Sequence, residues 1–230
     1  MLNTTNKITI WQQNVNKSPS CQHDLLGNNQ LIRSGTSILA LQEPAVNFMN
    51  RSIASKDWFP IYPSTHPLSP DKTRSLMLIN ASINPDSWEQ VDIPSGDITA
   101  VIIRGTESDL LLYNVYNDGN NDTSLNALTT AHDIISATPN AKRRHIIWLG
   151  DFNRHHPVWD NANDTRLFTE EALASAERLI EAIAEAGLVL RSGLPRAPTF
   201  LSLAPSILFP PTLTLTPFFS HYLPRPTYHL

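Results

Sequence analysis

A series of short apolar runs, each followed by a polar or turn-forming residue, restricts the fold of this chain more than any other feature. The runs are rich in Leu and β-branched residues, which is typical of strands buried on both faces. Asn80, Gly96 and Gly105 separate some of them, as turn residues do. We predict strands at Ile8–Val15, Ile38–Leu41, Leu76–Ile79, Ile98–Ile103, Leu110–Tyr116 and His145–Leu149.

Three stretches between or after these runs predict helices, namely Asp24–Arg33, Ser124–Ala137 and Thr169–Ala186. In the last stretch the apolar residues recur at helical spacing and the glutamates lie off that stripe. Gly187 follows as a C-terminal stop. Because strands dominate and helices intervene, the predicted class is α/β or α+β, with two layers of sheet.

Length and composition limit the function classes. The 230 residues fit one large domain, or one domain plus a tail. The single Cys21 excludes an internal disulfide framework and favours a reducing, intracellular compartment. The polar start shows no signal peptide, and no apolar run has the length of a bilayer span, so we expect no membrane partner. The net charge of −4 argues against a globally basic nucleic-acid binder. It leaves a metal-dependent nuclease open, because metal and phosphate neutralise a carboxylate-rich site.

The composition changes after residue 186. No Asp or Glu occurs from there to residue 230, and the last thirty residues contain six prolines. Such proline density disfavours helices and central strands, yet the stretch is rich in Leu and Phe. We therefore predict a domain over 1–200 and a Pro-rich apolar tail over 201–230, with the last strands of the domain missing.

Polar residues stand at the ends of four predicted strands, where α/β sheets present their sites. Asn14 ends the first strand, and taken alone it is most simply a turn residue. Glu43 ends the second, where a carboxylate is costly unless it is paired or bound to metal. Tyr116, at the end of the third, could donate a hydrogen bond to phosphate, but taken alone it is more simply a buried structural residue.

The fourth strand end, Gly150-Asp151-Phe152-Asn153, is the most specific of these signals. Gly150 permits a sharp turn, and residues two apart in an extended chain share a side. Asp151 can then orient a water while Asn153 donates to a phosphate oxygen. The alternative is a plain Asx turn after a strand.

In this order, the motifs Asn14, Gln42-Glu43, Tyr116 and Gly150-Asp151-Phe152-Asn153 resemble those of the endonuclease/exonuclease/phosphatase superfamily. The continuation from Arg154 through His155-His156-Pro157-Val158-Trp159 is similar to its retrotransposon branch, as are Leu41-Gln42-Glu43-Pro44 and Tyr113-Asn114-Val115-Tyr116. The resemblance covers about residues 6 to 200.

The resemblance implies a four-layer α/β sandwich with its site at the shared edge of two sheets. It implies that Glu43 binds Mg²⁺, with Mn²⁺ as a substitute, and that Asn14 lies close to the metal. Tyr116 and Asn153 would contact the scissile phosphate, and Asp151 would orient the nucleophilic water. The implied partner is the phosphodiester backbone of DNA, in the nucleus for a non-LTR retrotransposon endonuclease; no protein partner is implied.

Three further residues are candidates for substrate binding. Arg74 precedes a strand at a place where the family carries polar groove residues, although a solvated Arg is the simpler interpretation. His155 and His156 either approach the DNA backbone or are ordinary loop residues. A zinc site is not indicated, because no further Cys or His cluster completes one.

One element of the resemblance is missing. The family ends with an Asp and a Ser-Asp-His in which the His faces the phosphate, whereas residues after Thr199 contain no Asp. Ser220-His221 is the nearest string, and we assign His221 no catalytic role. Two alternatives therefore stay open beside a DNA endonuclease: a phosphoesterase of the same family acting on a phospholipid or inositol phosphate, and a catalytically dead fragment.

Overall fold

A computed structural model of the chain describes residues 8–27, 35–161 and 163–190, and the backbone at 200–203 and 213–215. Among these residues no helix is both long and apolar enough to cross a membrane. The helices are α1 (Pro19–Gly27), α2 (Thr123–Ala137) and α3 (Glu170–Glu185). The strands are β1 (Ile8–Asn14), β2 (Ile38–Gln42), β3 (Trp58–Ile61), β4 (Ser75–Asn80), β5 (Trp88–Val91), β6 (Ile98–Ile103), β7 (Ser108–Tyr116), β8 (Arg143–Asp151), β9 (Val189–Leu190), β10 (Phe200–Leu203) and β11 (Leu213–Leu215).

The strands form two mixed sheets. The first has the order β11-β1-β2-β4-β3, and the second has the order β5-β6-β7-β8-β10-β9. The parallel pairs β1–β2 and β7–β8 lie inside their sheets, so their carboxyl ends point to one edge of each sheet. This parallel pairing is what allows the polar strand-end residues to meet.

Three groups of buried apolar side chains define four layers. One group packs α1 on the first sheet, around Leu39 and Leu76. The second fills the space between the sheets, around Ile38 and Leu112. The third packs α2 and α3 on the outer face of the second sheet, around Trp148. The predicted four-layer sandwich is confirmed.

All six predicted strands are present, and five further strands were not predicted, among them the edge strands β3 and β5. β3 contains Pro60, which lacks an N–H group and is tolerated at the edge of a sheet. β5 carries Glu89 and Gln90 and lies at the edge of the second sheet. Neither sequence has the continuous apolar character of a central strand. A prediction from apolar runs therefore does not include β3 and β5.

The first predicted helix was placed too late in the chain. The helix begins at Pro19 and ends at Gly27, whereas the prediction ran from Asp24 to Arg33. Ser18 accepts a hydrogen bond from the Cys21 amide at 3.2 Å, so Ser18 and Pro19 form a recognisable helix start. Residues 28–33 of the prediction lie outside the described residues.

Two segments near the predicted domain boundary pair with the sheets, which corrects the expectation that the last strands are missing. β10 runs antiparallel to β8, and β11 runs parallel to β1. Both segments are free of proline, and Pro205, Pro210, Pro211 and Pro217 fall outside them. Short strands therefore fit between the prolines. His221 lies outside the described residues.

Candidate active site

The strand ends predicted to carry chemistry meet at one edge of the sandwich. Parallel pairing places Asn14 beside Gln42 in the first sheet and Tyr116 beside Asp151 in the second. The two sheets are joined there by Asn14, whose Nδ2 donates to Asp151 Oδ2 at 2.8 Å. Asn14 Oδ1 accepts from the Asn16 amide at 2.8 Å, which fixes the orientation of the side chain.

Glu43 follows β2 with a positive φ of 49°, and its amide donates to the Arg74 carbonyl at 2.8 Å. Its carboxylate is half-buried and acts on the Tyr116 hydroxyl through its charge. Burial, together with the nearby Glu43, raises the pKa of Tyr116 to about 12. Tyr116 is therefore a neutral donor at physiological pH.

The turn after β8 is tightly constrained. Gly150 has a φ of 145°, and a Cβ there would lie 1.9 Å from the Val115 carbonyl oxygen. Asp151 Oδ1 accepts from the Asn153 amide at 3.2 Å, so the Asx-turn alternative is part of the structure. Its other oxygen is the one that faces Asn14. One carboxylate oxygen of Asp151 thus stabilises the turn, and the other contacts Asn14 at the candidate site.

Asn117, which was not predicted, clamps this turn. Its amide donates to the Asp151 carbonyl at 2.8 Å, and its Nδ2 donates to the Phe152 carbonyl at 2.8 Å. Asn153, also at positive φ, donates its Nδ2 to the Asn117 carbonyl at 2.9 Å. An amide nitrogen carries two hydrogens, so this bond uses one N–H of Asn153 and leaves the second for another acceptor.

Arg74 lies at the same edge and is engaged by carboxylates. Its Nε and one terminal nitrogen hold Asp97 at 2.6 and 2.8 Å, and the other terminal nitrogen holds Asp118 at 3.0 Å. The guanidinium lies 4.7 Å from the centre of the Tyr116 ring. The side chain therefore supports Tyr116 rather than extending into solvent.

Asp97 and Asp118 were missed because nothing near them in sequence marks them as partners of Arg74. Asp97 is 8% exposed, and it also accepts from Ser124 Oγ at 2.6 Å. The available signal was position: Asp97 stands directly before β6, where an unpaired buried carboxylate would be costly.

Arg154, quoted in the motif but given no role, is 3% exposed. Its guanidinium donates to the carbonyls of Gly119 and Asn121 and to Asp122 Oδ1, at 2.8 to 2.9 Å. Burial lowers the pKa of this group, and Asp122 opposes that change. Arg154 thus ties the segment after β8 to the loop that leads into α2.

The two histidines have different surroundings. The ring of His156 packs against Trp159 in a tilted arrangement, with centroids 5.2 Å apart, and its Nε2 is 3.4 Å from Glu177. Its Nδ1 accepts from the Val158 amide at 3.2 Å, so both ring nitrogens have protein partners. This geometry favours the loop alternative for His156. The side chain of His155 is 47% exposed, with Nδ1 3.3 Å from Asp160.

Beneath the site, a buried amide network connects the sheets. Gln42 and Asn114 are both fully buried, and the Gln42 amide nitrogen donates to Asn114 Oδ1. Gln12 donates to Gln42 at 2.7 Å, and Asn114 donates to Ser75 Oγ at 2.9 Å. Because an unsatisfied buried amide is costly, this network fixes the relative position of the sheets.

The donors at this edge suit a hard cation. In the described part of the chain, no three His, Cys, Asp or Glu side chains are grouped so that they could hold a metal ion. Mg²⁺ does not require one, because it keeps several waters and binds one or two carboxylates. Glu43 and Asp151 both act electrostatically on the Tyr116 hydroxyl, so two carboxylates are near the same point.

A cleft of about 500 Å³ runs from Arg74 and Asp97 past Lys17 and Lys72. A smaller one of about 260 Å³ shares Lys17 and continues to Asn47 and Asn50. The larger cleft is thus lined by three cationic side chains and by the carboxylates of Asp71 and Asp97, although the chain as a whole is acidic. The exposed Lys17 and Lys72 are the groups there that can contact an anion.

The comparisons with known proteins agree with this architecture. A family model described as endonuclease-reverse transcriptase matches residues 110–209, which include β7, β8 and the turn after β8. Over these residues the chain is similar to that family.

Two solved structures share the fold of the chain. The endonuclease domain of TRAS1, a telomere-specific non-LTR retrotransposon, is 15% identical with a TM-score of 0.56, covering 84% of this chain and 83% of that one. The AP endonuclease LMAP from Leishmania major is 11% identical with a TM-score of 0.60, covering 82% and 69%. No curated protein sequence matches the chain.

Proposed function

We propose that this domain is a Mg²⁺-dependent endonuclease that cleaves phosphodiester bonds in DNA. The observation that carries the proposal is the meeting of Glu43, Asn14, Tyr116 and Asp151 at the shared edge of the two sheets, with Asn14 bonded to Asp151. Carboxylates, an amide and a neutral phenol together suit the binding of a metal and a phosphate and the orientation of water.

Asp151, Tyr116 and Asn153 have different roles in the proposed reaction. Asp151 accepts a hydrogen bond from the attacking water and is held in place by Asn14. Tyr116, neutral because of its raised pKa, donates to a non-bridging phosphate oxygen, and Asn153 offers its remaining N–H to another. Donors fixed before the reaction stabilise developing negative charge without reorganisation.

Glu43 would hold the metal, with Asn14 close to it and waters completing the shell. Bound there, Mg²⁺ supplies Lewis-acid stabilisation of charge on the phosphate and on the leaving oxygen. Mn²⁺ would take the same oxygen ligands. Glu43 also helps to raise the pKa of Tyr116, so the proposed metal ligand keeps the proposed phosphate donor protonated.

We assign DNA as the substrate on two grounds. Lys17 and Lys72 are exposed lysines that line the cleft beginning at Arg74, beside Asp71 and Asp97, and such lysines suit contacts to a polyanionic backbone. The segment His155-His156-Pro157-Val158-Trp159 and the similarity to a retrotransposon endonuclease favour the retrotransposon branch. A non-LTR element, acting in the nucleus, is the source that these features fit.

A second candidate function is DNA binding without efficient cleavage. Residues 186–230 contain no Asp or Glu, so the Asp-His pair implied by the family resemblance does not occur within them. A site without that histidine lacks one donor toward the phosphate. Binding through the cleft would not depend on it.

The test is Mg²⁺-dependent nicking of supercoiled plasmid by residues 1–230, alongside Asp151→Ala. Asp133→Ala serves as the control, because Asp133 is an exposed carboxylate on α2. We expect Asp151→Ala to lower the rate by about 10²-fold or more through loss of water orientation, while the control keeps the parent rate.

Binding of a labelled duplex is measured on the same samples in Ca²⁺, together with thermal unfolding. Tight binding by the parent without nicking supports the second candidate. Equal nicking by the parent and by a folded Asp151→Ala protein contradicts the proposed mechanism.

A further inference from the structure

Two loops beside the candidate site expose large apolar side chains. Phe48 is 94% exposed, Met49 is 59% exposed, and Leu68 is 88% exposed. Seven large hydrophobic residues are exposed in the described part of the chain, and these three lie on the two loops that border the cleft. Single exposed hydrophobics are common on protein surfaces, but a cluster at the rim of a cleft marks an interaction site.

The loop that carries Phe48 is built as a tight hairpin. Asn47 Oδ1 accepts from the amides of Met49 and Arg51 at 2.9 and 3.1 Å. The Asn47 amide donates to the Arg51 carbonyl at 2.9 Å, and Val46 pairs with Ser52. Phe48 is thus presented on a preformed tip, and little conformational entropy is lost when the tip meets a partner.

His66 fastens the second loop to the first. It is 8% exposed, and one ring nitrogen lies 2.8 Å from the Asn50 carbonyl while the other lies 2.6 Å from Thr73 Oγ1. The ring also stacks on Tyr62, with centroids 4.1 Å apart. Because Thr73 directly precedes Arg74, both loops are tied to the strand end that supports Tyr116.

The surroundings of these tips are cationic. Lys17 lies in both clefts, Lys72 lines the larger one, and Arg51 closes the hairpin of Phe48; all three are exposed. Asp71 is the acidic side chain among them that lines both clefts. An apolar tip surrounded by cations fits a ligand with a phosphate backbone and stackable bases.

We propose that Phe48 is a wedge that enters the base stack of duplex DNA beside the scissile phosphate, with Leu68 as a second apolar contact. The proposal rests on the proposed function and deepens it. Insertion of an apolar side chain partly unstacks a base step and kinks the duplex. A kinked step lets the phosphate approach the recessed strand ends at Glu43 and Asp151, and it favours cleavage at flexible steps.

The experiment uses the 230-residue protein in Ca²⁺, without cleavage, and duplexes that carry 2-aminopurine at successive positions. We expect the parent to raise the fluorescence several-fold at one step. Phe48→Ala should remove the increase and weaken affinity about tenfold, as loss of a stacking side chain does. Phe48→Trp should restore it. Ile134→Ala, an exposed apolar residue on α2, is the matched control and should behave as the parent.

The failures are distinguishable. If the parent and Phe48→Ala bind DNA equally and give the same fluorescence, the wedge is wrong while the proposed function stands. If the parent binds no duplex, both are wrong. Self-association of the protein is measured by light scattering. If Phe48→Ala and Leu68→Ala change self-association but not DNA binding, the two loops contact protein and the wedge proposal is wrong.

Discussion

The side-chain nitrogen of Asn14 lies 2.8 Å from Oδ2 of Asp151 and joins strand ends of different sheets. We predict that Asn14→Ala lowers the free energy of unfolding by about 1–2 kcal/mol, because a hydrogen bond to a charged group is lost. Asn14→Asp should cost more in EDTA, since two carboxylates would then face each other. Urea unfolding measures both.

The control for the two Asn14 variants is Asn126→Ala, which removes an exposed side-chain amide on α2. It should leave the unfolding free energy nearly unchanged. An Asn14→Asp protein as stable in EDTA as Asn14→Ala would mean that the two side chains are farther apart in solution than in the structure.

Glu43 is predicted to be the metal ligand at this edge. Glu43→Gln keeps the size of the side chain and removes the charge, so we expect calorimetric Mg²⁺ affinity to fall about tenfold or more. The exposed Glu89 offers a control as Glu89→Gln. Unchanged affinity in Glu43→Gln would contradict the assignment, irrespective of any effect on nicking.

The raised pKa of Tyr116 predicts a pH dependence of stability. A free tyrosine has a pKa of about 10, whereas burial and Glu43 raise that of Tyr116 to about 12. The folded state therefore holds the Tyr116 hydroxyl proton more tightly than the unfolded state does. Its contribution to the free energy of unfolding is complete below about pH 10 and is lost as pH rises through about 12. The parent should lose stability in this range more steeply than Tyr116→Phe.

Urea midpoints between pH 8 and 12 test this prediction. Burial also raises the pKa of Tyr113, but that residue is common to both proteins, so the difference between them isolates Tyr116. If the urea midpoints of the parent and of Tyr116→Phe change in parallel with pH, then burial and Glu43 do not raise the pKa of Tyr116. A tyrosinate difference spectrum of Glu43→Gln should show a lowered Tyr116 pKa.

Arg74 and Asp97 form a bidentate pair with little solvent access. Arg74→Ala leaves that carboxylate uncompensated, and we expect a loss of about 3 kcal/mol in unfolding free energy. Arg74→Lys should rescue only part of it, because an ammonium cannot make both bonds. Arg104→Ala breaks the exposed pair with Glu89 and should cost less than about 1 kcal/mol. Similar losses for Arg74→Ala and Arg104→Ala would contradict this account.

Gly150 has no room for a side chain. A Cβ would lie 1.9 Å from the Val115 carbonyl oxygen, and the φ of 145° is itself unfavourable for other residues. We predict that Gly150→Ala destabilises the fold by about 3 kcal/mol or more. Gly27→Ala is the matched control, since nothing lies within 4 Å of a Cβ there. Equal melting temperatures would show that the turn can move aside.

The sequence predicted the central strands because their residues are apolar on both faces, as in Leu39 and Leu111. It failed at β3 and β5, since an edge strand such as the one with Pro60 has no such pattern. The positions of strand-end residues such as Glu43 could be predicted, because a polar residue directly after an apolar run is easily recognised. The residues that hydrogen-bond to the strand ends could not be predicted.

Asp97 and Asn117 belong to those unpredicted partners. Asp97 pairs with Arg74 across 23 residues, and Asn117 holds Phe152 across 35. Neither pairing leaves a local pattern in the sequence, because tertiary folding alone brings the groups together. His155 and His156 show the converse: adjacent residues of one type have different partners, which their sequence could not distinguish.

The bond between Asn14 and Asp151 spans 137 residues of chain. A ribosome synthesises the Asn14 half of this edge long before Asp151 has left the exit tunnel. Throughout that interval Glu43 and Asn14 lack Asp151, so the proposed active site cannot form on the nascent chain. The separation along the chain thus delays assembly of this edge until both halves of the sandwich have been made.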